Sequence, residues 1–483
     1  MNRRAGVLMA VLMVLVIAAL VGATLAARAV AGVDGTRFRL HEAQARGAAW
    51  SGVLAAMSRL EADHDVILAG GVPREIDTIV LSRPGETLDV TAVIVETDGA
   101  QLASQNALVD VNTATVDMLV ATGLVDAGLA AGVVARAGAT PFSSVEEAVG
   151  ASQAPEAADA SLTRAAAGAE KNGGRSQGSG RDARLTAYSF DPEVCAGVGD
   201  AGLAGEDRAE WGSLVAAKPD AADLARRFGA DAAPALSQVI ASGIKLSTRA
   251  ELVAALRRVG LDQRLWGVVL DRVCFEGGGV ACGRVDLAHA DPAVLACLPG
   301  VGPGVSDSLV KARERLSADA LRSLAWPVVE GVLSAEQLEQ CVDRLTTRST
   351  QYRVRVIGNV GTPGREGSED HGASLARVVY DAVIDVSGKR ARVAYLRDVT
   401  QLEAASMLRA SAVPRRVSDA DDAAGVPPEG DVRGPAQPGV DTVEERAKNV
   451  WVPVPDIPTD SSGTSGQGRH GRWIPGARSR SGG

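Results

Sequence analysis

The most regular pattern in the chain is an uncharged apolar run near its start. Residues Ala5 to Ala27 contain no charged side chain. A helix of that length, rising about 1.5 Å per residue, crosses a hydrocarbon layer of about 30 Å. Arg3 and Arg4 precede the run, and positive residues favour the cytoplasmic side of a membrane. The pattern predicts one membrane helix, with a cytoplasmic N-terminus and the bulk of the chain after Arg28 on the other side.

Beyond this run, apolar positions recur at helical spacing. Gly32 and Gly35 allow a bend. One apolar stripe then follows at i, i+3, i+4, i+7 and i+10, formed by Trp50, Val53, Leu54, Met57 and Leu60. The stripe predicts the core-facing side of the first soluble helix. We therefore assign residues 7–62 to a membrane helix continued by a soluble one.

Alternating β-rich runs come next. Two of them, at 76–81 and 88–95, flank the turn signal Ser82-Arg83-Pro84-Gly85 and predict a hairpin. Similar runs return only at 352–357, 376–386 and 391–396. Because an isolated hairpin is marginally stable, the later strands are its natural partners. The predicted fold class is α+β, with an antiparallel sheet split by an inserted all-α domain.

The pattern divides the chain after the first helix into four parts. The sheet takes residues 63–108 and 346–405, and the helical domain takes 109–345 with a disordered excursion at 151–184. Residues 406–483 form a predicted disordered tail, since 411–483 hold nine prolines and eleven glycines.

The helical part contains an internal repeat. Residues 111–119 align without gaps with residues 287–295, and each segment has a polar cap before a helix. The second copy continues into Pro299-Gly300-Val301-Gly302. Both copies are predicted to be helix-hairpin-helix units. A weaker third copy lies at 235–253, without the glycine hairpin.

The glycine hairpin is the one candidate nucleic-acid contact. Gly300 and Gly302 can present backbone N–H groups to a DNA phosphate, with Lys311 nearby in sequence. The alternative is that both glycines only supply the conformation of a tight turn. The chain carries a formal charge of -9 with a pI near 5.3, and Asp307 and Glu314 flank the hairpin. Nucleic acid is therefore not the expected partner.

Other candidate chemistry is sparse. Cys274 and Cys282 flank a glycine-rich loop that a disulfide could close in an oxidising compartment. Gly197 to Gly202 matches GxGxxG but lacks the strand and helix that a dinucleotide site needs. The acidic side chains around it could offer oxygen ligands to calcium, although a solvated loop is favoured: Asp191, Glu193, Asp200, Glu206 and Asp207.

Nothing in the sequence favours an enzyme. The five histidines are scattered singly, in no metalloprotease or nucleophile motif. His289 stands at a helix entry where the first repeat has Thr113, and a capping role is expected for it. No cofactor is predicted, and the metal content is left open.

The N-terminus resembles a type IV prepilin leader. Arg3-Arg4-Ala5-Gly6 runs directly into Val7, and in such leaders a prepilin peptidase cleaves after the glycine. Pilins and most pseudopilins carry a glutamate at the fifth mature position, where this chain has Val11. Component K of bacterial type II secretion systems lacks that glutamate. Together with the split sheet and the tandem hairpins, residues 1 to about 405 resemble component K.

The resemblance implies a minor pseudopilin at the tip of a secretion pseudopilus, which initiates or caps assembly. It implies a single-pass protein of the inner membrane, with periplasmic bulk, and other minor pseudopilins as partners. Two other interpretations of the N-terminus remain, a secretory signal cleaved after Ala27-Arg28-Ala29 and a plain anchor. The alternative functions are a membrane-tethered DNA receptor that uses the hairpins, as in competence, and an anchored periplasmic scaffold.

Overall fold

One long helix begins the chain. The computed structural model describes residues 3–82, 87–97, 99–151, 184–275, 280–362 and 374–404. Helix α1 spans Arg3–Ala62 without interruption and includes Gly32 and Gly35. It contains an 18-residue window of mean hydropathy 2.2, none of which is buried by the rest of the described chain. Within those ranges, α1 is the one helix long and apolar enough to cross a membrane.

An antiparallel sheet packs beside α1. The strands are β1 Ile79–Val80, β2 Asp89–Val95, β3 Ala103–Ser104, β4 Val109–Asp110, β5 Leu185–Thr186, β6 Phe190–Asp191, β7 Ala209–Glu210, β8 Val273–Cys274, β9 Ala281–Cys282, β10 Val285–Asp286, β11 Leu345–Thr346, β12 Gln351–Gly361, β13 Ser374–Asp385 and β14 Arg392–Asp398. The main sheet has the order β1-β2-β12-β13-β14, and β3 also pairs with β12. The predicted α+β class, with a long N-terminal apolar helix and an antiparallel sheet, is confirmed.

The main sheet combines strands that are distant in sequence. β2 pairs with β12 from Val95 opposite Arg355 to Asp89 opposite Gly361. The predicted hairpin forms with a shorter first strand than expected, because only Ile79 and Val80 pair with β2. The backbone N–H of Ile76 donates instead to Gln101 Oε1 at 2.7 Å.

Small residues form the contact between α1 and the sheet. Ala45, Ala49 and Ala56 are fully buried there. Gly358 on β12 allows the approach, since a Cβ atom on it would lie 2.0 Å from the carbonyl oxygen of Ala45. A close helix–sheet contact needs small side chains on both sides. The side of α1 that carries small side chains therefore faces the sheet.

This contact divides the predicted core stripe of α1. Val53 and Leu60 are fully buried, as expected. Trp50 and Leu54 remain 40% and 46% exposed, so their assignment to the core is wrong. The predicted stripe shares only part of its residues with the buried side of α1. The side that carries the alanines is the one that packs on the sheet.

The remaining helices are short. They are α2 His64–Leu68, α3 Val116–Ala121, α4 Ala127–Ala139, α5 Val145–Ala151, α6 Trp211–Ala217, α7 Ala221–Phe228, α8 Ala233–Ala241, α9 Arg249–Arg258, α10 Gln263–Arg272, α11 Pro292–Leu295, α12 Pro303–Arg313, α13 Ala318–Leu321, α14 Trp326–Val329 and α15 Ala335–Cys341. From Val109 to Leu345 they share one hydrophobic core. Separate apolar clusters lie between α1 and the sheet.

Three two-residue parallel ladders divide this helical region into groups. β4 pairs with β5 around α3–α5, β7 pairs with β8 around α6–α10, and β10 pairs with β11 around α11–α15. α3 packs on α4, α7 on α8 and α11 on α12. A glycine with positive φ stands between the helices of each pair: Gly123, Gly229 and Gly300. Of the two predicted disordered segments, the tail and all of 151–184 except its two end residues lie outside the described chain.

Candidate functional site

The candidate processing and assembly residues all lie in α1. Gly6, Val7 and Val11 fall within its first turns. Further along α1, the large apolar side chains of Leu40, Trp50 and Leu54 are 56%, 40% and 46% exposed. Exposed aromatic and aliphatic residues on one face of a helix are typical of contact surfaces. α1 therefore presents an apolar surface that continues beyond the candidate membrane span.

A buried ionic cluster lies where the helical region meets the sheet. Asp191 and Glu193, predicted in a solvated loop, are 1% and 6% exposed, so that prediction is wrong for both. Asp191 accepts from Arg348 Nη2 at 3.1 Å and from Arg284 Nη1 at 2.9 Å. Buried carboxylates require such pairing. Two of the five candidate calcium ligands are therefore engaged by guanidinium groups.

Glu193 has a second constraint in the same cluster. Its φ of 46° lies in the left-handed region, which costs a non-glycine residue free energy. Its carboxylate contacts Arg249 at 3.3 Å and Arg208 at 3.5 Å, and it also pairs with Arg284. These contacts offset the strained backbone by placing the carboxylate between guanidinium groups.

The electrostatics of the cluster favour ionised carboxylates. Burial alone would raise the pKa of Asp191, but four arginines outweigh it and lower that pKa well below its ordinary value: Arg348, Arg284, Arg208 and Arg249. Burial, with Arg284 and Arg208 beside it, lowers the pKa of Arg249 to about 9. Asp191 and Arg249 are therefore both charged at neutral pH, and the cluster acts as a fixed ionic junction.

The glycine-rich loop at 197–202 binds a carboxylate of its own chain. The backbone N–H groups of Ala196, Gly197 and Val198 donate to Asp271 at 2.6, 3.0 and 2.9 Å. Gly197 and Gly199 both have positive φ, which lets successive N–H groups converge on an anion. A side chain at the end of α10 occupies the position that a phosphate would need, so the loop has a structural role here.

The cysteine pair does not form a bridge. Cys274 on β8 has a free thiol that donates to the carbonyl of Arg208 at 3.7 Å. β8 pairs with β7, whereas Cys282 lies on β9, which pairs with β6. The disulfide suggested by the sequence is therefore not present.

The glycine hairpin has the geometry of a tight turn. Gly300 has a φ of 74°, and a Cβ atom on it would lie 2.4 Å from Gln340 Oε1. Gln337 Nε2 donates to the Gly300 carbonyl at 3.2 Å, which fixes the turn against α15. Gly302 precedes α12, and Pro303 at the next position has no N–H group. The turn conformation alone accounts for Gly300.

Lys311 is not brought next to these glycines. It stands nine residues after Gly302, about 14 Å along the axis of α12. The first repeat differs further, because Asp126 Oδ1 caps α4 by accepting from Leu129 N–H at 2.8 Å. That carboxylate occupies the helix end where a phosphate would bind.

His289 forms an ion pair with a buried carboxylate, so its predicted capping role is wrong. Its Nδ1 lies 2.7 Å from Asp286 Oδ2, and Asp286 is fully buried. The Asp286 charge raises the pKa of His289 above its ordinary 6.5. Burial opposes ionisation of Asp286, but His289, Ser349 and Ala288 N–H outweigh it and lower its pKa. The pair fixes the start of the third helical group.

A repeated motif that we did not predict frames this pair. Arg344-Leu345-Thr346 with Ser349 matches Arg184-Leu185-Thr186 with Ser189. Ser349 Oγ donates to Asp286 at 2.8 Å, and Ser189 N–H donates to Asp110 at 3.2 Å. Asp110 has no histidine partner, and burial raises its pKa to about 6. The Arg-Leu-Thr-x-x-Ser spacing was the sequence signal for both ladders.

No metal centre or known relative adds to this picture. Among the residues that the structure describes, no group of three or more His, Cys, Asp or Glu side chains could hold a metal ion. Comparisons with protein-family models, with curated proteins and with solved structures give no match to this chain.

Proposed function

We propose that the protein is a membrane-anchored minor pseudopilin, similar to component K of type II secretion systems, with a structural rather than a catalytic role. The observation that carries the proposal is α1. Its first part is apolar and unburied, and its last part packs on a sheet through alanines while Trp50 and Leu54 stay exposed. One continuous helix of this kind both anchors the subunit and offers it a helical contact surface.

The arrangement of the strands supports the same function. A sheet built from β2, β12 and their neighbours lies on α1, and the helical region lies between those two strands in sequence. In this proposal the sheet and α1 form the pseudopilin body, and the helix-hairpin-helix units are an inserted domain. That domain adds bulk at the periplasmic end, which prevents another subunit from stacking above.

In this proposal, Val11 explains why the subunit would lie at the tip of the pseudopilus. In related pseudopilins the fifth-position carboxylate is expected to neutralise the N-terminal amine of a neighbouring subunit. A carboxylate in lipid is costly unless it is paired. With Val11 at that position, this subunit needs no such neighbour above it and caps or initiates the pseudopilus.

Processing of the leader tests the proposal directly. We expect a prepilin peptidase to cleave between Gly6 and Val7, so N-terminal sequencing of the membrane-bound protein should begin at Val7. Gly6→Val should block this cleavage, because a branched side chain obstructs access to the backbone. Gly22→Val, inside the apolar run, serves as the matched control and should leave it unchanged. A mature chain that begins at Val30 would instead establish secretory cleavage and exclude a pseudopilin.

A further inference from the structure

A cavity of about 240 Å³ lies where the chain passes from the sheet to the helical region. Its walls are mainly apolar and include Val72, Pro73, Leu102, Leu108 and Tyr352. An apolar cavity of about 150 Å³ already holds benzene. This cavity is therefore large enough for an aromatic ring or a large aliphatic side chain.

Its polar groups are few and mostly engaged. The hydroxyls of Ser104 and Ser349 bond to each other, and Ser349 also donates to Asp286. Ser104 Oγ accepts from Ala107 N–H at 3.0 Å. His289 Nδ1 is bound to Asp286, which leaves Nε2 of the cavity-lining imidazole for a ligand. When both ring nitrogens of this imidazole carry a proton, Nδ1 donates to Asp286 and Nε2 is a second donor.

The charges at the cavity favour a neutral acceptor. Asp286 Oδ2 lies 2.7 Å from His289 Nδ1, and the exposed carboxylate of Asp291 also lines the cavity. An anionic ligand would be repelled by Asp291. A carbonyl oxygen attached to an apolar group satisfies the donor without that repulsion.

The edge of β3 points to a polypeptide as the source of such a group. β3, Ala103–Ser104, lines the cavity and pairs only with β12 among the described strands. An unpaired strand edge offers main-chain donors and acceptors to an extended peptide. A small apolar molecule would leave those groups unused.

We propose that this cavity binds one aromatic or large aliphatic side chain of an extended polypeptide, with a neighbouring peptide carbonyl accepting from His289 Nε2. The inference deepens the proposed function by giving the subunit a recognition pocket for another protein chain. It rests on the proposed function only for the source of that chain. Leader cleavage and peptide binding are measured independently, so failure of one is distinguishable from failure of the other.

The test uses the full chain in lipid nanodiscs and saturation-transfer NMR. The probe is the blocked peptide acetyl-Gly-Phe-Gly-amide, for which we expect a Kd of about 0.1–10 mM. Acetyl-Gly-Ser-Gly-amide should not bind, because it cannot fill the apolar space. Benzyl alcohol, which has the ring without the peptide groups, should bind at least about tenfold more weakly.

Two variants locate the binding. Ala107→Phe fills the cavity from its wall and should abolish the signal, whereas Ala135→Phe, on the exposed side of α4, should not change it. His289→Ala should weaken binding of the Phe peptide more than that of benzyl alcohol. An absent signal, a signal unaffected by Ala107→Phe, or tighter binding of benzyl alcohol than of the peptide would overturn the proposal.

Discussion

Single small residues decide how α1 meets the sheet. Gly358 and Gly52 lie at the closest points of the contact, and added Cβ atoms there would come within 2.0 Å of Ala45 O and 2.4 Å of Val356 Cγ1. Real Cβ contacts are not that short, so the backbone would have to move. The contact depends on the absence of side-chain atoms as much as on the alanines of the helix.

Gly358→Ala tests this dependence. Its methyl group would press on the backbone of Ala45 and Ala49, so we expect destabilisation of about 1–3 kcal/mol. Thermal or denaturant unfolding of the purified chain measures it. Gly388→Ala is the matched control, because its Cβ meets nothing within 4 Å, and its stability should change by less than about 0.5 kcal/mol. Equal stability of the two variants would contradict the packing described for α1.

The His289–Asp286 pair gives a pH dependence at the same scale. The folded pKa of His289 is raised, so its contribution is complete below about pH 6.5 and is lost as pH rises through the folded value. The folded pKa of Asp286 is lowered, so its contribution is complete above about pH 4 and is lost as pH falls through the folded value. The charge of Arg313 lowers the pKa of His289, but the effect of Asp286 is larger, so that pKa is raised overall.

His289→Gln should therefore destabilise most between about pH 4 and pH 6.5. The expected loss there is about 1.5–3 kcal/mol, as for a hydrogen bond to a charged group. Unfolding of the wild-type chain and the variant across pH measures the difference. His41→Gln, on α1 and outside the His289–Asp286 pair, controls for removal of a histidine. A difference between wild type and His289→Gln that grows above pH 8 would show that the sign is wrong.

At the scale of elements, the three helix pairs differ in how their turns are fixed. The Gly300 turn is bonded to α15 by Gln337, whereas the Gly123 turn leads to a helix capped by Asp126. Their positive φ values are similar, at 74° and 72°. The two turns share their backbone conformation. The groups at the N-terminus of the helix that follows each turn differ. This difference bears on the DNA-receptor alternative.

We expect the hairpins not to bind duplex DNA at submicromolar affinity in physiological salt. Lys311 lies about 14 Å from Gly302 along α12, and the chain carries a charge of -9. Fluorescence anisotropy with the full chain and a labelled duplex measures the affinity. Submicromolar binding that weakens with rising salt and with Lys311→Ala would favour the receptor instead.

The sequence predicts elements better than it predicts their burial. The uncharged run and the alternation in β2, β12, β13 and β14 identify those elements, because hydrophobic periodicity is a local signal. The side of α1 that faces the sheet was not predictable from Trp50 or Leu54, since glycine and alanine decide it and carry little hydrophobic signal. The burial of Asp191 and Glu193 depends on arginines from four distant segments, and no local pattern contains that information.

At the scale of the molecule, the ionic cluster links segments that are far apart in sequence. Arg348 donates to the carbonyls of Leu68 and Cys195 at 3.0 and 3.2 Å while pairing with Asp191. It thereby joins the chain just after α1, the helical region and the strand that returns to the sheet. Buried ion pairs are costly unless every partner is present. The junction fixes one arrangement of these segments.

Assembly is the property of the whole molecule that the proposal predicts. We expect a complex with other minor pseudopilins that forms through α1, and no filament of this chain alone, since Val11 removes the carboxylate that stacking subunits pair. Trp50→Ser should weaken that complex at least about tenfold by removing a large apolar contact. Ile244→Ser is the matched control, because Ile244 is also 40% exposed but lies away from α1. Co-purification from membranes measures the complex, and electron microscopy of overproducing cells measures the number and length of pili, which should be low. Long fibres of this chain alone, or an unchanged copy number in the complex after Val11→Glu, would show that the tip mechanism is wrong.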